Sequence, residues 1–177
     1  MQRLITKTHQ KGDAASEAVY SECLGYRYAL TRVWNASGPR VLFIMLNPSK
    51  ATEVENDPTI ERCEWRARAL GFGGFRAANI FAWRETDPSK MKRAADPVGA
   101  ANDEILRQSC DWADQVICGW GAHGAHLDRG AQTAGLLAGA GETLYCFGTT
   151  KAGHPRHPLY IAYKTKPEKW DSDELLS

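Results

Sequence analysis

A run of apolar residues that stops at an Asn-Pro dipeptide constrains the fold of this chain more than any other feature. Residues 41–46 read Val-Leu-Phe-Ile-Met-Leu, which is typical of a strand buried on both faces. Pro48 cannot continue a central strand and holds Asn47 extended. The strand therefore ends at Asn47 and presents its amide at the edge where open α/β sheets bind ligands. A simple turn at Asn-Pro is the alternative.

The composition is that of an ordinary globular protein. The chain has 177 residues, 43% hydrophobic and 24% charged, so we expect a single domain over residues 1–177 with a core that needs no metal or cofactor. The five cysteines are an odd number and widely spaced, which favours buried reduced thiols. Neither a signal peptide nor a membrane span is evident, so a cytoplasmic protein is expected.

Apolar strand candidates alternate with helical patterns along the chain. Strands are predicted at residues 41–46, 75–81, 115–118 and 143–147, and helices at residues 59–70, 98–111 and 126–137. This alternation predicts a three-layer α/β/α sandwich with a central, mostly parallel four-stranded sheet. Residues 18–34 are expected to add one or two antiparallel strands, and residues 1–13 to be a polar lead. The last dozen residues are expected to be marginally ordered.

Polar or aromatic segments follow each predicted strand. They are Asn47-Pro48-Ser49, Asn79 with the loop beyond Phe81, Trp120-Gly121-Ala122-His123, and residues 153–159. Because the carboxyl ends of parallel strands meet at one edge of a sheet, four such segments together predict a binding cleft.

The segment Gly-His-Pro-Arg-His-Pro-Leu at residues 153–159 is the most specific of these. Its two prolines stiffen the loop, so that its side chains lose little entropy on binding. His154 and His157 can position or stabilise an anionic group near neutral pH. Solvent exposure without a role is the alternative for each histidine.

Taken in order, these motifs resemble the uracil-DNA glycosylase superfamily over about residues 41–160. Residues 45–49, Met-Leu-Asn-Pro-Ser, are similar to the Gly-Ile-Asn-Pro-Gly motif of its mismatch-specific branch. Residues 119–121, Gly-Trp-Gly, are similar to a late strand that ends in Trp-Gly. Residues 154–159, His-Pro-Arg-His-Pro-Leu, are similar to its second motif, His-Pro-Ser-Pro-Leu. More closely, the chain resembles uncharacterised bacterial and phage proteins known only as a domain of unknown function, remote relatives of the glycosylases.

The chain departs from the glycosylase pattern at three points. The second motif has one residue too many, so either His154 or His157 is the counterpart of the family histidine. Ser49 stands where the mismatch-specific branch has glycine. The catalytic aspartate of the uracil-specific branch is absent at Asn47.

The resemblance implies a DNA glycosylase that hydrolyses the N-glycosidic bond of a modified or mismatched base flipped out of DNA. Asn47 would orient water, and His157 or His154 would bind the departing base. The implied substrate contacts are Pro48, Ser49, Asn79, Phe81, Trp120, His123 and Leu159. The implied contacts to the DNA backbone are Lys50, Lys151 and Arg156. Leu159 would fill the gap left by the extruded nucleotide. Trp83 is the alternative to Phe81 for stacking on the base, and core packing is the alternative for Trp120.

A monomer that binds DNA or a nucleotide is therefore expected. DNA repair, phage defence and nucleotide metabolism are alternative biological roles. A non-catalytic nucleotide or nucleic-acid binding protein on the same fold is the second hypothesis. In that case Asp57, Arg62 and Arg66 would bind the nucleotide, with helix capping and surface ion pairing as their structural alternative. An acyl-transfer hydrolase is disfavoured because the chain has no Gly-x-Ser-x-Gly motif.

Overall fold

The computed structural model describes residues 3–176, which form a mixed α/β structure around one eight-stranded sheet. The strands are β1 (Leu4–Lys11), β2 (Ala14–Ser21), β3 (Arg27–Val33), β4 (Arg40–Met45), β5 (Gly74–Asn79), β6 (Gln115–Cys118), β7 (Leu144–Cys146) and β8 (Glu168–Lys169). The α-helices are α1 (Pro58–Ala69), α2 (Pro88–Lys92), α3 (Asn102–Trp112), α4 (Arg129–Gly139) and α5 (Asp173–Leu176). The order across the sheet is β1-β2-β3-β5-β4-β6-β7-β8.

The sheet is larger than the predicted four-stranded parallel core, and most of its strand pairings are antiparallel. The four neighbouring strands β5, β4, β6 and β7 are parallel and correspond to the four predicted strands. The antiparallel strands β1, β2 and β3 extend the sheet beyond β5, and β8 pairs antiparallel with β7. The fold prediction is therefore corrected to a larger, mixed sheet.

The strand β1 was missed because its sequence carries no hydrophobic alternation. Its side chains are exposed or only partly buried throughout, so residues 4–11 have the composition of a polar lead. Backbone pairing with β2 holds the strand in place, and Gly12 (φ 59°) makes the tight connection between them. An edge strand of this kind leaves little signal in the sequence.

Buried clusters cover both faces of the parallel strands. On one face Phe43 of β4 shares a buried cluster with Ile60 of α1. On the other face Leu42 of β4 shares a cluster with Leu106 of α3 and Leu137 of α4. Successive residues of a strand point to opposite faces, so a strand covered on both sides is a continuous apolar run.

The C-terminal residues are better packed than expected from their polar composition. The short strand β8 pairs with β7, and Trp170 next to it is buried. Its ring packs edge-on against Trp120, with 5.5 Å between the ring centroids. A single tryptophan among polar neighbours therefore anchors this part of the chain.

Candidate functional site

A cleft of about 690 Å³ lies at the carboxyl edge of the parallel strands. Five segments contribute to its walls: the residues after β4, the start of α1, the loop before α2, the turn after β6 and the loop after β7. Its lining residues are Leu46, Asn47, Ser49, Lys50, Asp57, Pro58, Thr59, Glu85, Thr86, Pro88, Trp120, Gly121, Ala122, His123, Thr150, Arg156, His157, Leu159 and Tyr160. Segments that are distant in sequence thus meet at the carboxyl ends of neighbouring parallel strands, where open α/β sheets bind ligands.

Eight of the predicted site residues line this cleft. They are Asn47, Ser49, Lys50, Trp120, His123, Arg156, His157 and Leu159. Asn47 and His157 therefore share one cavity, although one follows β4 and the other follows β7. Trp120 also has the core position considered as its alternative, since only 1% of its surface is exposed.

A chamber of about 30 Å³ adjoins the cleft, and the two cavities share wall residues. Asn47, Asp57 and His157 line both cavities. Arg27, Pro48 and Asn79 contribute to the chamber only, together with Met45 and Ile60. Within residues 3–176, the buried atoms Nε of Arg27 and Nδ2 of Asn79 have no hydrogen-bond partner. Buried donors ordinarily have a partner, and an acceptor atom bound in this chamber would supply one to both residues.

Three predicted site residues line neither the cleft nor the chamber. His154 is buried, and its Nδ1 accepts a hydrogen bond from Trp120 Nε1 at 3.1 Å. Phe81 is fully buried in the hydrophobic core, where it cannot stack on a bound base. Lys151 is exposed, but it lies in the turn next to the cleft lining and not within it. These placements correct the expected roles of His154 and Phe81, since both side chains are used in packing.

The amide of Asn47 is held by the backbone of a neighbouring loop. Its Nδ2 donates to the carbonyl oxygen of Glu85 at 2.6 Å, and the Glu85 N–H donates to the carbonyl of Pro48 at 2.9 Å. The amide nitrogen is therefore occupied, and Oδ1 is the atom left to accept a hydrogen bond. An aspartate at this position would turn a carboxylate oxygen toward the Glu85 carbonyl, so the local structure favours an amide.

His157 is fixed as a neutral hydrogen-bond donor. Its Nδ1 accepts the backbone N–H of Leu159 at 3.2 Å, which assigns the proton of the neutral ring to Nε2. Burial lowers the pKa of His157 to about 4, and the charge of Asp57 opposes this shift. The ring is therefore uncharged at neutral pH and can donate through Nε2.

Asp57 is a cleft residue that the sequence suggested as a helix cap and, under the second hypothesis, as a nucleotide contact. It does cap α1, since Oδ1 accepts the Ile60 N–H at 2.9 Å, while Oδ2 accepts the Ala51 N–H at 3.1 Å. No local signal distinguishes it, because Asp87 precedes a proline and caps α2 in the same manner. Only the tertiary structure turns one of these two caps toward a cavity.

Residues 27–159 match the family model of DUF1643, described as a protein of unknown function. The chain belongs to the DUF1643 family. No curated protein and no solved structure shows a significant match. The expected membership in an uncharacterised family is thereby confirmed, whereas the relation to uracil-DNA glycosylases stays a prediction. The matched span of this DUF1643 protein contains the whole lining of the chamber and, except for Tyr160, that of the cleft.

Buried arginines of β3 support the loop at residues 48–56, which joins Asn47 to Asp57. Arg27 Nη1 donates to the Ala51 carbonyl at 2.7 Å. Arg32 Nη2 donates to the Thr52 carbonyl at 2.8 Å. Burial lowers the pKa of Arg27 to about 10, with Asp57 opposing the shift, so the side chain stays charged at neutral pH. The antiparallel strands of the DUF1643 protein therefore anchor one wall of its cleft.

Arg62 and Arg66 of α1 bind a second loop next to the cleft, the one that follows the histidine motif. Both donate to the carbonyl of Ile161, and Arg66 also donates to that of Ala162 at 3.3 Å. The Arg66 guanidinium packs 4.5 Å from the ring centroid of Phe147. These arginines therefore fasten the loop that follows the histidine motif, and their donors are directed at protein backbone instead of a nucleotide.

Within residues 3–176, no group of three or more His, Cys, Asp or Glu side chains is placed to hold a metal ion. Over the same part of the DUF1643 protein, each helix is too short or too polar to cross a lipid bilayer.

Proposed function

We propose that this DUF1643 protein is a DNA glycosylase that hydrolyses the N-glycosidic bond of a flipped, modified or mismatched base. The observation that carries the proposal is that Asn47 and His157 line one cleft of about 690 Å³. Ligand-binding cavities have volumes of about 300–1,000 Å³, a range that suits an extruded nucleoside. The parallel strands β5, β4, β6 and β7 support the relation to uracil-DNA glycosylases, because both motifs lie at their carboxyl edge.

The two side chains have complementary roles in this reaction. As the glycosidic bond breaks, the departing base gains negative charge, which the Nε2–H of His157 stabilises by a hydrogen bond. A neutral imidazole suits this role, since it donates a hydrogen bond without having to transfer a proton. The Oδ1 of Asn47 accepts a hydrogen bond from the attacking water, and the amide itself stays uncharged.

The remaining contacts follow from the positions of the cleft residues. Leu159 adjoins His157 and replaces the extruded nucleotide in the duplex, as apolar side chains do in other DNA complexes. Lys50 and Arg156 are exposed on the cleft lining, and Lys151 is exposed nearby, so these three bind phosphates. Ser49, Trp120 and His123 contact the base or sugar within the cleft, and Pro48 and Asn79 contact it from the chamber side.

Binding without cleavage is the second candidate function. One observation favours it: Asn47 is an amide whose nitrogen is already bonded to the Glu85 carbonyl, so it supplies no charge and no strong base. A protein of this kind would bind a flipped nucleotide or a free nucleotide and release it unchanged.

Base release from defined oligonucleotides tests the proposal. Single- and double-stranded oligonucleotides, each with one uracil, hypoxanthine, oxidised, alkylated or mismatched base, are incubated with the protein and analysed for abasic sites by alkaline strand scission. We expect cleavage of at least one substrate and a loss of about 100-fold in rate for Asn47→Ala and His157→Asn. The asparagine at position 157 keeps an acceptor for the Leu159 N–H and removes the Nε2 donor.

Thermal unfolding and circular dichroism confirm that each variant is folded before its rate is compared. Folded wild-type protein that releases no base from any substrate would contradict the proposal. Tight binding of the same oligonucleotides without turnover would favour the binding function instead.

A further inference from the structure

Two carboxylates line the cleft, and they differ in their positions. Glu85 lines the cleft but not the chamber. Its Oε1 accepts the backbone N–H groups of Thr86 and Asp87 at 3.0 and 3.3 Å. Asp57 lines both the cleft and the chamber, as do Asn47 and His157. Asp57 is therefore the carboxylate that shares both cavities with the pair assigned to the reaction.

The Asp57 carboxylate is held in place by two backbone hydrogen bonds. Each of its oxygens accepts one backbone N–H, from Ile60 and from Ala51, and each keeps a lone pair for a further hydrogen bond. It stands at the N-terminus of α1, a helix of 12 residues whose dipole favours a negative charge there. Fixed charge of this kind stabilises a transition state without reorganisation of the protein.

The chamber gives a second, independent indication of a ligand atom beside Asp57. Arg27 and Asn79 line the chamber and are each 2% exposed, and within residues 3–176 the donors Nε of Arg27 and Nδ2 of Asn79 have no hydrogen-bond partner. Asp57 and Asn47, whose side chains carry acceptor oxygens, also line it. A water molecule accepts two hydrogen bonds and donates two. The chamber, of about 30 Å³, exceeds the roughly 10–15 Å³ that a bound water requires, so it has room for a water.

We propose that Asp57 is the anionic catalytic residue of this cleft, which stabilises the positive charge on the sugar and accepts a proton from a water in the chamber. This inference rests on the proposed glycosylase function. The bond between the sugar carbon and the base nitrogen breaks, and its electron pair leaves with the base, which His157 binds. The water oxygen bonds to the sugar carbon, and its proton passes to Asp57 and then to the departing base. The products are the free base and an abasic sugar.

A comparison of two aspartates tests the proposal independently of turnover. Asp57→Asn removes the charge in the cleft, and Asp87→Asn removes the charge at the matched cap of α2, which belongs to the lining of neither cavity. Asparagine caps helices as well as aspartate does, so both variants keep their helix starts. The probes are two duplex oligonucleotides in which a single nucleoside is replaced by a cationic pyrrolidine sugar analogue or by neutral tetrahydrofuran.

We expect the wild-type protein and Asp87→Asn to bind the cationic duplex at least about tenfold more tightly than the neutral one. Asp57→Asn is expected to lose this preference. Asp57→Ser, which also keeps a helix cap, replaces the asparagine variant if that variant is unfolded.

The outcomes separate this inference from the proposed function. The same preference in wild type and Asp57→Asn overturns the role of Asp57, even if wild-type protein releases bases. Equal binding of the two duplexes by wild-type protein, or binding of neither, also overturns it. A preference that Asp57→Asn abolishes supports Asp57 as the anionic site for a cationic sugar. An accompanying lack of base release would contradict the glycosylase function and with it the proton transfer, but not this binding role.

Discussion

His154 and His157 stand three residues apart in one motif, and each is followed by a proline. Sequence alone could not separate them, because the difference lies in what surrounds each ring. His154 accepts a hydrogen bond from Trp120 in the protein interior, whereas His157 lines the cleft and accepts only the backbone N–H of Leu159 at Nδ1. At the scale of single residues, the extra residue in this motif therefore separates a packing histidine from a cleft histidine.

Substitution of His154 is expected to reduce stability, whereas substitution of His157 is expected mainly to reduce base release. His154→Ala leaves the Trp120 N–H unpaired in the interior and opens a cavity, so we expect a loss of about 2–3 kcal/mol in the free energy of unfolding. His157→Asn keeps the acceptor for Leu159 and is expected to lower that free energy by less than about 1 kcal/mol, while base release falls about 100-fold. Urea denaturation and single-turnover kinetics measure the two effects. Equal destabilisation by both substitutions would contradict the assignment.

The lowered pKa of His157 also makes stability depend on pH. The pKa is about 4 in the folded protein and 6.5 ordinarily, so the unfolded chain binds the proton more readily between these values. Stability from this group is therefore complete above about pH 6.5 and is lost as the pH falls toward 4, by up to about 3 kcal/mol. Urea denaturation at pH 7 and pH 4.5 measures the loss. His157→Asn should show a smaller loss than wild type, and the same loss in both proteins would be inconsistent with the lowered pKa of His157.

The helix α1 connects the two walls of the cleft. Its cap, Asp57, lies in the cleft, and Arg62 and Arg66 on the same helix bind the carbonyls of the loop after the histidine motif. On the other side, Arg27 and Arg32 of β3 bind the loop that leads into the helix. At the scale of secondary structure elements, the positions of the two loops that line the cleft are therefore set by arginines that donate hydrogen bonds to their carbonyl groups.

The Arg66 contacts are expected to matter more than an exposed ion pair on another helix. Arg66→Met removes a charged donor from the carbonyls of Ile161 and Ala162 and leaves Arg62 as the donor to Ile161, and we expect it to lower the free energy of unfolding by about 1.5–3 kcal/mol. Arg107 forms an exposed pair with Glu104 on α3, so Arg107→Met should change it by less than about 0.5 kcal/mol. Urea denaturation of both variants provides the comparison. Faster hydrogen exchange at residues 158–165 in Arg66→Met alone would accompany the larger loss, and equal losses would refute the role of Arg66.

The apolar strands could be predicted from sequence because apolar runs bounded by turn residues encode them locally. The predicted strand at residues 41–46 is observed as Arg40–Met45, and that at residues 115–118 as Gln115–Cys118. The helix predicted at residues 126–137 begins later, at Arg129, because Leu127 and Asp128 adopt left-handed backbone conformations. Leucine rarely adopts such a conformation, so the later start of the helix could not be predicted from residue types.

The candidate site was predictable in the same uneven way. Asn47 and His157 follow strands, and the sheet edge brings them together as expected. The buried arginines could not be foreseen, since they depend on partners far away in the sequence, and Asp57 was expected at a binding site only under the second hypothesis. Charged residues in an alternating strand pattern are ordinarily assigned to the solvent face, and Arg27 and Arg32 are exceptions that only their loop partners explain.

At the scale of the whole molecule, the antiparallel strands β2 and β3 support a loop next to the cleft. The family match begins at residue 27, so β1 and β2 precede it. Nevertheless, Ser16 and Tyr20 of β2 bond to Glu53 in the loop between Asn47 and Asp57, at 2.6 and 2.9 Å. With a net charge of only +1, the proposed DNA binding must depend on basic side chains beside the cleft and not on the field of the entire protein.

The salt dependence of DNA affinity is expected to report these local contacts. If Lys50, Lys151 and Arg156 each bind one phosphate, the logarithm of the association constant should fall with the logarithm of salt concentration with a slope of about −3. Arg156→Ala and Lys151→Ala should each reduce the magnitude of the slope by about 1. Lys7→Ala, on the edge strand β1, serves as the control and should leave it unchanged. Fluorescence anisotropy over a series of salt concentrations gives the slopes. If Arg156→Ala and Lys151→Ala have the same slope as wild-type protein, these phosphate contacts are excluded.

The most direct test of a nucleotide-binding cleft between Asn47 and His157 is a crystal structure of the protein bound to a duplex that carries one tetrahydrofuran abasic site. We expect the extruded sugar to lie between Oδ1 of Asn47 and Nε2 of His157, with Leu159 inserted in the gap of the duplex. DNA bound on another face, or an extruded sugar that contacts neither side chain, would contradict the proposed site.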